Sequence, residues 1–192
     1  MTIKPLDDKL FKFDLSSSPS LRSRTGKDAD GASGKLFELA LFVDFTVPGN
    51  LKTMKFLSDF LGAFDGGAAV FLKSYPVDSG SGGDAVAAAK AIYCAAEQGK
   101  LLNLLGGMFN SSPPVDRTLL IKIAGEGDME KEKFSSCLDS EKYAAAIKRD
   151  IAEADNAGVK STPVLFINGR RFNPFLGWDA ENLGRTLKRY AE

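Results

Sequence analysis

Two apolar segments separated by an amphipathic stretch constrain the fold of this chain most strongly. Residues 36–45 (LFELALFVDF) and 68–75 (AAVFLKSY) have the nearly continuous apolar character of strands buried on both faces. Between them, apolar residues recur at spacings of three and four, as on one face of a helix, at Leu51, Met54, Leu57, Phe60, Leu61 and Phe64. A helix between two strands predicts parallel neighbours joined by a right-handed crossover, which is a βαβ unit.

The remainder of the chain predicts a block of helices, then a hairpin and a closing helix. Five segments between residues 84 and 157 have helical patterns, and Asp84 is placed to cap the first of them. Residues 164–169 (VLFING) predict a strand that enters an Asn168-Gly169 turn, which is a strong signal for a two-residue hairpin. The returning strand begins at residues 170–172, and Asp179 is placed to cap a final helix over 179–191.

The first 35 residues predict an N-terminal strand followed by a polar loop or linker. A short apolar group at Leu10, Phe11, Phe13 and Leu15 precedes a stretch rich in Ser, Asp, Lys and Gly. A length of 192 residues suits one domain of ordinary size, so residues 36–192 are expected to form a single domain.

Composition excludes several classes of function. The 25 basic and 25 acidic residues are intermixed, which leaves no electrostatic footprint for nucleic acid or anionic lipid. No apolar stretch approaches the roughly 20 residues that a membrane span needs. The chain contains no histidine, which removes Ser/His/Asp and Cys/His nucleophilic machinery, and its two cysteines are far apart in sequence. We therefore expect no metal site and no cofactor.

Several motifs occur in a fixed order along the chain. They are FTVPGN (45–50), KSYPV (73–77), AIYCAAEQGK (91–100), FSSCLDS (134–140) and AGVKSTPVLFINGR (157–170). In this order they resemble the DsbA-like branch of the thioredoxin superfamily, whose members are thiol–disulfide oxidoreductases, and the resemblance covers residues 36–191. It implies an α/β thioredoxin fold, with a central mixed sheet flanked by helices and a helical insertion at about 84–157.

The resemblance also locates the redox motif of that family, and here the motif is degenerate. Where the family has Cys-Pro-x-Cys at the start of a helix, this chain has Val47-Pro48-Gly49-Asn50. A helix N-terminus stabilises the attacking thiolate, but Val47 cannot ionise and Asn50 cannot resolve a mixed disulfide. Pro48 suits a first helical turn, and Asn50 or Thr46 is expected to cap it. We expect no disulfide exchange at this turn.

The two cysteines, Cys94 and Cys137, have two interpretations. They form a structural disulfide between helices of the insertion, or they are two buried thiols that behave as small apolar residues. The resemblance implies the crosslink, which would place the protein in an oxidising compartment, periplasmic or otherwise extracytoplasmic. A redox-active Cys94/Cys137 pair is a third interpretation, although neither residue lies in CxxC spacing.

The candidate binding site follows from the same resemblance. Thr162-Pro163 matches the cis-proline position of the family, so Thr46, Val47, Thr162 and Pro163 are expected to line a groove for extended polypeptide. The alternatives are a kappa-class glutathione transferase or isomerase that uses the Thr46 hydroxyl, an oxidoreductase homologue with an unrecognised site, and a purely structural module beside another domain of a longer protein. Trp178 is a candidate for the rim of the groove.

Overall fold

The computed structural model describes residues 6–22, 37–64, 67–76, 84–112, 114–173 and 179–191. The expectation about Trp178 and that of a polar loop over residues 23–35 lie outside these ranges. The described residues form six strands: β1 (Leu6–Leu10), β2 (Ser20–Arg22), β3 (Phe37–Val43), β4 (Ala68–Ser74), β5 (Val164–Ile167) and β6 (Arg170–Phe172). They also form seven helices: α1 (Pro48–Ala63), α2 (Ala85–Glu97), α3 (Leu101–Phe109), α4 (Arg117–Glu126), α5 (Lys131–Asp139), α6 (Ala144–Asn156) and α7 (Ala180–Ala191).

The strands form one mixed sheet in the order β1-β6-β5-β3-β4-β2. β3 and β4 run parallel and are joined through α1, which confirms the predicted βαβ unit. β5 pairs antiparallel with β3 and with β6. The β5–β6 turn has positive φ at both central residues, 47° at Asn168 and 77° at Gly169, the backbone geometry that an Asn-Gly dipeptide favours. The fold is the expected α/β thioredoxin-like arrangement.

Alternate residues of the central strands face two separate apolar cores. On one face, Leu39, Leu41 and Val43 of β3 pack in a large cluster with α1, the helical block α2–α5 and α7. On the other face, Ala40 and Phe42 contact a smaller cluster that includes residues of α6 and β5. Both faces of β3 are covered, which explains why its sequence is apolar almost throughout.

The N-terminal segment is more ordered than its composition predicts. The expected polar loop contains Ser20–Arg22, which form β2 and pair antiparallel with β4 at one edge of the sheet. β1 pairs with β6 at the opposite edge. In the segment that links β1 to β2, the ring of Phe13 packs edge-to-face on the rings of Phe42 and Phe166, at centroid distances of 5.2 and 4.9 Å. The prediction of a loop from residue 16 onward is therefore wrong at β2, because pairing with a buried neighbour outweighs polar composition.

The Cys94–Cys137 crosslink that the resemblance implies is present. It joins α2 to α5 across 43 residues of sequence with a Cα–Cα distance of 5.9 Å. Each of the five helical segments expected between residues 84 and 157 corresponds to one observed helix, α2 to α6. Asp84 caps α2 as predicted, since its side chain accepts a hydrogen bond from the amide of Ala87 at 2.8 Å.

Candidate functional site

The pairing of β3 with β5 brings together two segments that lie more than 100 residues apart. The two strands are antiparallel, and Phe42 near the end of β3 is paired with Val164 at the start of β5. The turn that follows β3 therefore lies beside the residues that precede β5. This topology places the Val47-Pro48-Gly49-Asn50 turn next to Thr162-Pro163.

The Thr162-Pro163 peptide bond is cis, as the sequence predicts. Both residues are partly buried and come directly before β5, whose four residues are fully covered. The loop thus ends on a rigid strand in the middle of the sheet, which holds its two side chains in place.

A buried polar network joins this loop to the start of α1. The Asn50 side-chain amide donates to the carbonyl oxygen of Asp44 at 2.9 Å and to the Thr162 hydroxyl oxygen at 2.6 Å. The Asp44 carboxylate accepts hydrogen bonds from the Thr46 amide at 2.8 Å and from the Thr46 hydroxyl at 2.6 Å. Asp44, Thr46 and Asn50 are each 1% exposed, so these bonds are protected from solvent. Asn50 therefore connects the turn to the cis-proline loop.

The expectation that Thr46 or Asn50 caps α1 is wrong. The N-cap residue is Val47, whose side chain makes no capping hydrogen bond. Both polar side chains point elsewhere, because Asp44 and Thr162 offer them buried partners. Pro48 occupies the first turn, as expected, where its missing N–H costs little.

Exposure divides the predicted site residues into two groups. Pro48 and Gly49 are exposed, and Val47, Thr162 and Pro163 are partly exposed. Thr46, predicted to line the groove, lies beneath this surface. The solvent-accessible part of the candidate site is therefore Val47, Pro48, Gly49, Thr162 and Pro163, which we call the turn–loop surface.

The chemical capacity of the turn–loop surface is limited. It contains no thiol, because the two cysteines of the chain form the α2–α5 disulfide. The Thr46 hydroxyl, the group that the glutathione hypothesis requires, is buried and donates to the Asp44 carboxylate. Within the described ranges, no group of three or more His, Cys, Asp or Glu side chains could hold a metal ion.

Two buried charged residues at the ends of the central strands were not identified from the sequence. One is Asp44, whose only sequence signal is an acid at the end of an apolar strand. The other is Lys73, fully buried at the end of β4, whose ammonium contacts Asp150 at 2.6 Å and Glu153 at 2.7 Å on α6. The sequence feature that could have identified Lys73 is a single lysine in an otherwise apolar strand. It lies on the face of β4 opposite to Val70 and Leu72.

The Lys73 cluster also contains a tyrosine. The hydroxyl of Tyr93, on α2, donates to Asp150 at 2.9 Å. Burial, followed by the nearby Asp150 carboxylate, raises the pKa of Tyr93 well above its ordinary range. The cluster therefore joins β4, α2 and α6 through one hydrogen bond and two ion pairs.

Comparison with known proteins agrees with this geometry. The sequence profile of a family described as thioredoxin matches residues 61–188. A thioredoxin-like oxidoreductase from Silicibacter pomeroyi superposes with a TM-score of 0.73 at 18% identity, covering 92% of this chain and 95% of that one. BdbD from Bacillus subtilis gives a TM-score of 0.69 at 16% identity, with 94% and 96% covered. The thiol-disulfide exchange protein alpha-DsbA2 from Wolbachia pipientis gives 0.67 at 14% identity, with 91% and 88% covered.

Two curated proteins match part of the sequence at a higher identity than these three structures do. A Na(+)/H(+) antiporter NhaA from Herminiimonas arsenicoxydans is 36% identical over 101 residues, which are 53% of this chain and 16% of that protein. An antiporter NhaA 3 from Salinispora tropica is 34% identical over 87 residues, 44% of this chain and 13% of that protein. The chain thus matches less than a fifth of the length of either relative. None of the helices in the described ranges is long and apolar enough to cross a membrane.

Proposed function

The chain belongs to the thioredoxin family, and from this premise we propose that it is a DsbA-like member that is redox-inactive at the turn–loop surface and binds extended polypeptide there. The observation that carries the proposal is the Asn50–Thr162 hydrogen bond of 2.6 Å. It joins the degenerate turn to the cis-proline loop, so the binding scaffold persists where the redox chemistry is lost.

The loss of chemistry follows from the residues at the turn. Disulfide exchange needs a thiolate that attacks and a second thiol that releases the bound substrate. Val47 and Asn50 occupy the two positions where the family carries those thiols, and neither side chain can perform either step. The start of α1 keeps its backbone N–H groups and its positive dipole end beside Val47, and this environment attracts peptide carbonyl groups.

Binding of extended polypeptide is supported by the shape and rigidity of the surface. Val47, Pro163 and Pro48 present apolar groups, while the Thr162 backbone lies beyond the residues of β5 that pair with β3. An extended peptide can add main-chain hydrogen bonds at such a position, and proline contributes no competing N–H. Rigid anchoring of both segments lowers the entropy cost of binding.

A pair of matched glycine variants tests the binding surface. A Cβ atom added at Gly49 would meet no atom within 4 Å, and the same holds at Gly62 near the other end of α1. Gly49→Arg should therefore leave the fold intact but obstruct the turn–loop surface, whereas Gly62→Arg should not affect it. The wild-type protein, Gly49→Arg and Gly62→Arg would be titrated by NMR with unstructured peptides selected on an array.

We expect shifts at Val47 and Thr162 in the wild type and in Gly62→Arg, and at least about tenfold weaker binding in Gly49→Arg. Absence of shifts at the turn–loop surface in the wild type would refute the peptide-binding proposal. Equal affinities of the two arginine variants would place the peptide elsewhere.

Restoring the cysteines tests the redox half of the proposal. The wild-type protein should reduce insulin no faster than buffer, whereas Val47→Cys/Asn50→Cys should acquire measurable activity, because the helix N-terminus lowers the pKa of a thiol placed there. The single variant Val47→Cys, which lacks the resolving thiol, is the control. Insulin reduction by the wild-type protein would contradict redox inactivity.

We assign the protein to an oxidising compartment. The Cys94–Cys137 disulfide supports this assignment, because such bonds persist mainly outside the cytosol. Alkylation of the protein in intact cells should find both cysteines blocked, and free thiols in freshly lysed cells would contradict the assignment. Similarity to segments of two much longer proteins further supports a module that works beside another domain.

A further inference from the structure

The two sulfurs of the α2–α5 disulfide differ in their access to solvent. Cys94 is 1% exposed and packs within the main core, on a stretch of α2 whose neighbouring residues are also buried. Cys137 is only partly buried, since α5 places it between the exposed Ser136 and the buried Leu138. An incoming reagent would therefore reach the disulfide from the Cys137 side.

An open cavity lies over this side of the disulfide. Its volume is about 720 Å³, and both cysteines contribute to its lining. Both lysines that line it are already paired: Lys142 contacts Glu97 at 2.5 Å, and Lys133 contacts Glu130 at 2.6 Å. The cavity thus offers room for a small molecule beside Cys137 without an unpaired lysine to attract a large anion.

α5 has further attachments that do not involve sulfur. Phe134, 0% exposed, and Leu138, 5% exposed, anchor it in the core. The amide of Glu130 donates to the Gln98 side chain at 2.8 Å, and Arg117 binds the Asp139 carboxylate at 2.8 Å. Because these contacts survive cleavage of the disulfide, the bond can be opened without unfolding the domain.

We propose that the Cys94–Cys137 disulfide is a site of exchange with small thiols, which enter through attack on the Cys137 sulfur. The thiolate of the small molecule attacks Cys137 Sγ and forms a mixed disulfide, while the bond between the two cysteines breaks and Cys94 leaves as a thiolate that takes up a proton. A second small thiolate then attacks the small-molecule sulfur of the mixed disulfide. This step releases a small-molecule disulfide and leaves Cys137 as a thiolate that takes up a proton. Two small thiols are oxidised, and the protein disulfide is reduced.

This site is separate from the turn–loop surface and does not depend on peptide binding there. In the proposed exchange the protein disulfide is the oxidant, so no reactive cysteine at the start of α1 is needed. The site would make the attachment of α5 sensitive to the thiol content of its surroundings.

The direct test uses the folded wild-type protein and 2-mercaptoethanol. After a brief reaction, acid quenching and alkylation, peptide mass spectrometry locates the mixed disulfide. We expect the adduct on Cys137 in at least about tenfold excess over Cys94, because access decides which sulfur is attacked. We also expect low urea concentrations, well below the unfolding midpoint, to leave the reduction rate unchanged.

Two single variants provide a matched comparison. In Cys94→Ala the free Cys137 thiol should react with an aromatic disulfide reagent at least about tenfold faster than the free Cys94 thiol in Cys137→Ala. Circular dichroism checks that both variants are folded, and the wild-type measurement stands if either is not. Adducts divided equally between the two cysteines, or reduction that only follows the unfolded fraction, would overturn the proposal.

Discussion

The hydrogen bond between Asn50 and Thr162 gives a quantitative prediction about the candidate site. Asn50→Ala removes two hydrogen bonds, a buried one to the Asp44 carbonyl at 2.9 Å and a partly buried one to the Thr162 hydroxyl at 2.6 Å. At a net value of about 1 kcal/mol each, the free energy of unfolding should fall by about 2 kcal/mol. Thr162→Val removes only the shared bond at nearly constant shape.

A double-mutant cycle isolates the contribution of that bond. Urea unfolding, followed by far-ultraviolet circular dichroism, would be measured for the wild type, both single variants and Asn50→Ala/Thr162→Val. We expect a coupling energy of about 1 kcal/mol. Thr186→Val is the control, because the buried Thr186 hydroxyl donates within α7 to Asn182. It should show no coupling with Asn50→Ala. A coupling below about 0.3 kcal/mol for the Asn50–Thr162 pair would refute the proposed link.

Three further predictions concern the framework around the site. Cys94→Ala/Cys137→Ala should lower the free energy of unfolding by about 4 kcal/mol, the chain-entropy value for a 43-residue separation, as measured by urea unfolding. Lys73→Met should cost about 3–5 kcal/mol in the same assay, because the buried Asp150 and the partly buried Glu153 lose their nearest counter-charge. The exposed Lys55→Met should change the free energy of unfolding by less than about 0.5 kcal/mol. The pKa of the Tyr93 hydroxyl is raised above its ordinary 10.0 in the folded protein, so the unfolded chain loses this proton first as the pH increases. The free energy of unfolding should therefore decline above about pH 10, and Tyr93→Phe should make that decline shallower. An equally steep decline in Tyr93→Phe would contradict this assignment.

Local patterns predicted the parts of the fold that depend on neighbouring residues. The spacing of apolar residues located α1, and the Asn168-Gly169 dipeptide located the β5–β6 turn, because both signals act within a few residues. Thr162-Pro163 was also identified correctly as a cis peptide bond, from the motif around it.

The contacts that sequence reasoning missed join residues distant along the chain. Asn50 and Thr162 are 112 positions apart, so the true partner of Asn50 gave no local signal and a helix cap was the natural expectation. β2 was missed for a related reason. Its three residues have no strand pattern of their own and are extended because they pair with β4. The Lys73–Asp150 ion pair likewise depends on how β4 packs against α6.

The N-terminal segment supplies the strands at both edges of the sheet, with β1 beside β6 and β2 beside β4. An exposed edge strand is a template for pairing with another chain. Here one stretch of 17 residues covers the outer sides of β6 and β4, and its own short strands, of five and three residues, become the edges instead. Because this segment pairs with β4 and β6, it should dock after they have joined the sheet. Until then the longer strand β4 would form one open edge, and resistance to aggregation would depend on how quickly residues 6–22 return to cover it.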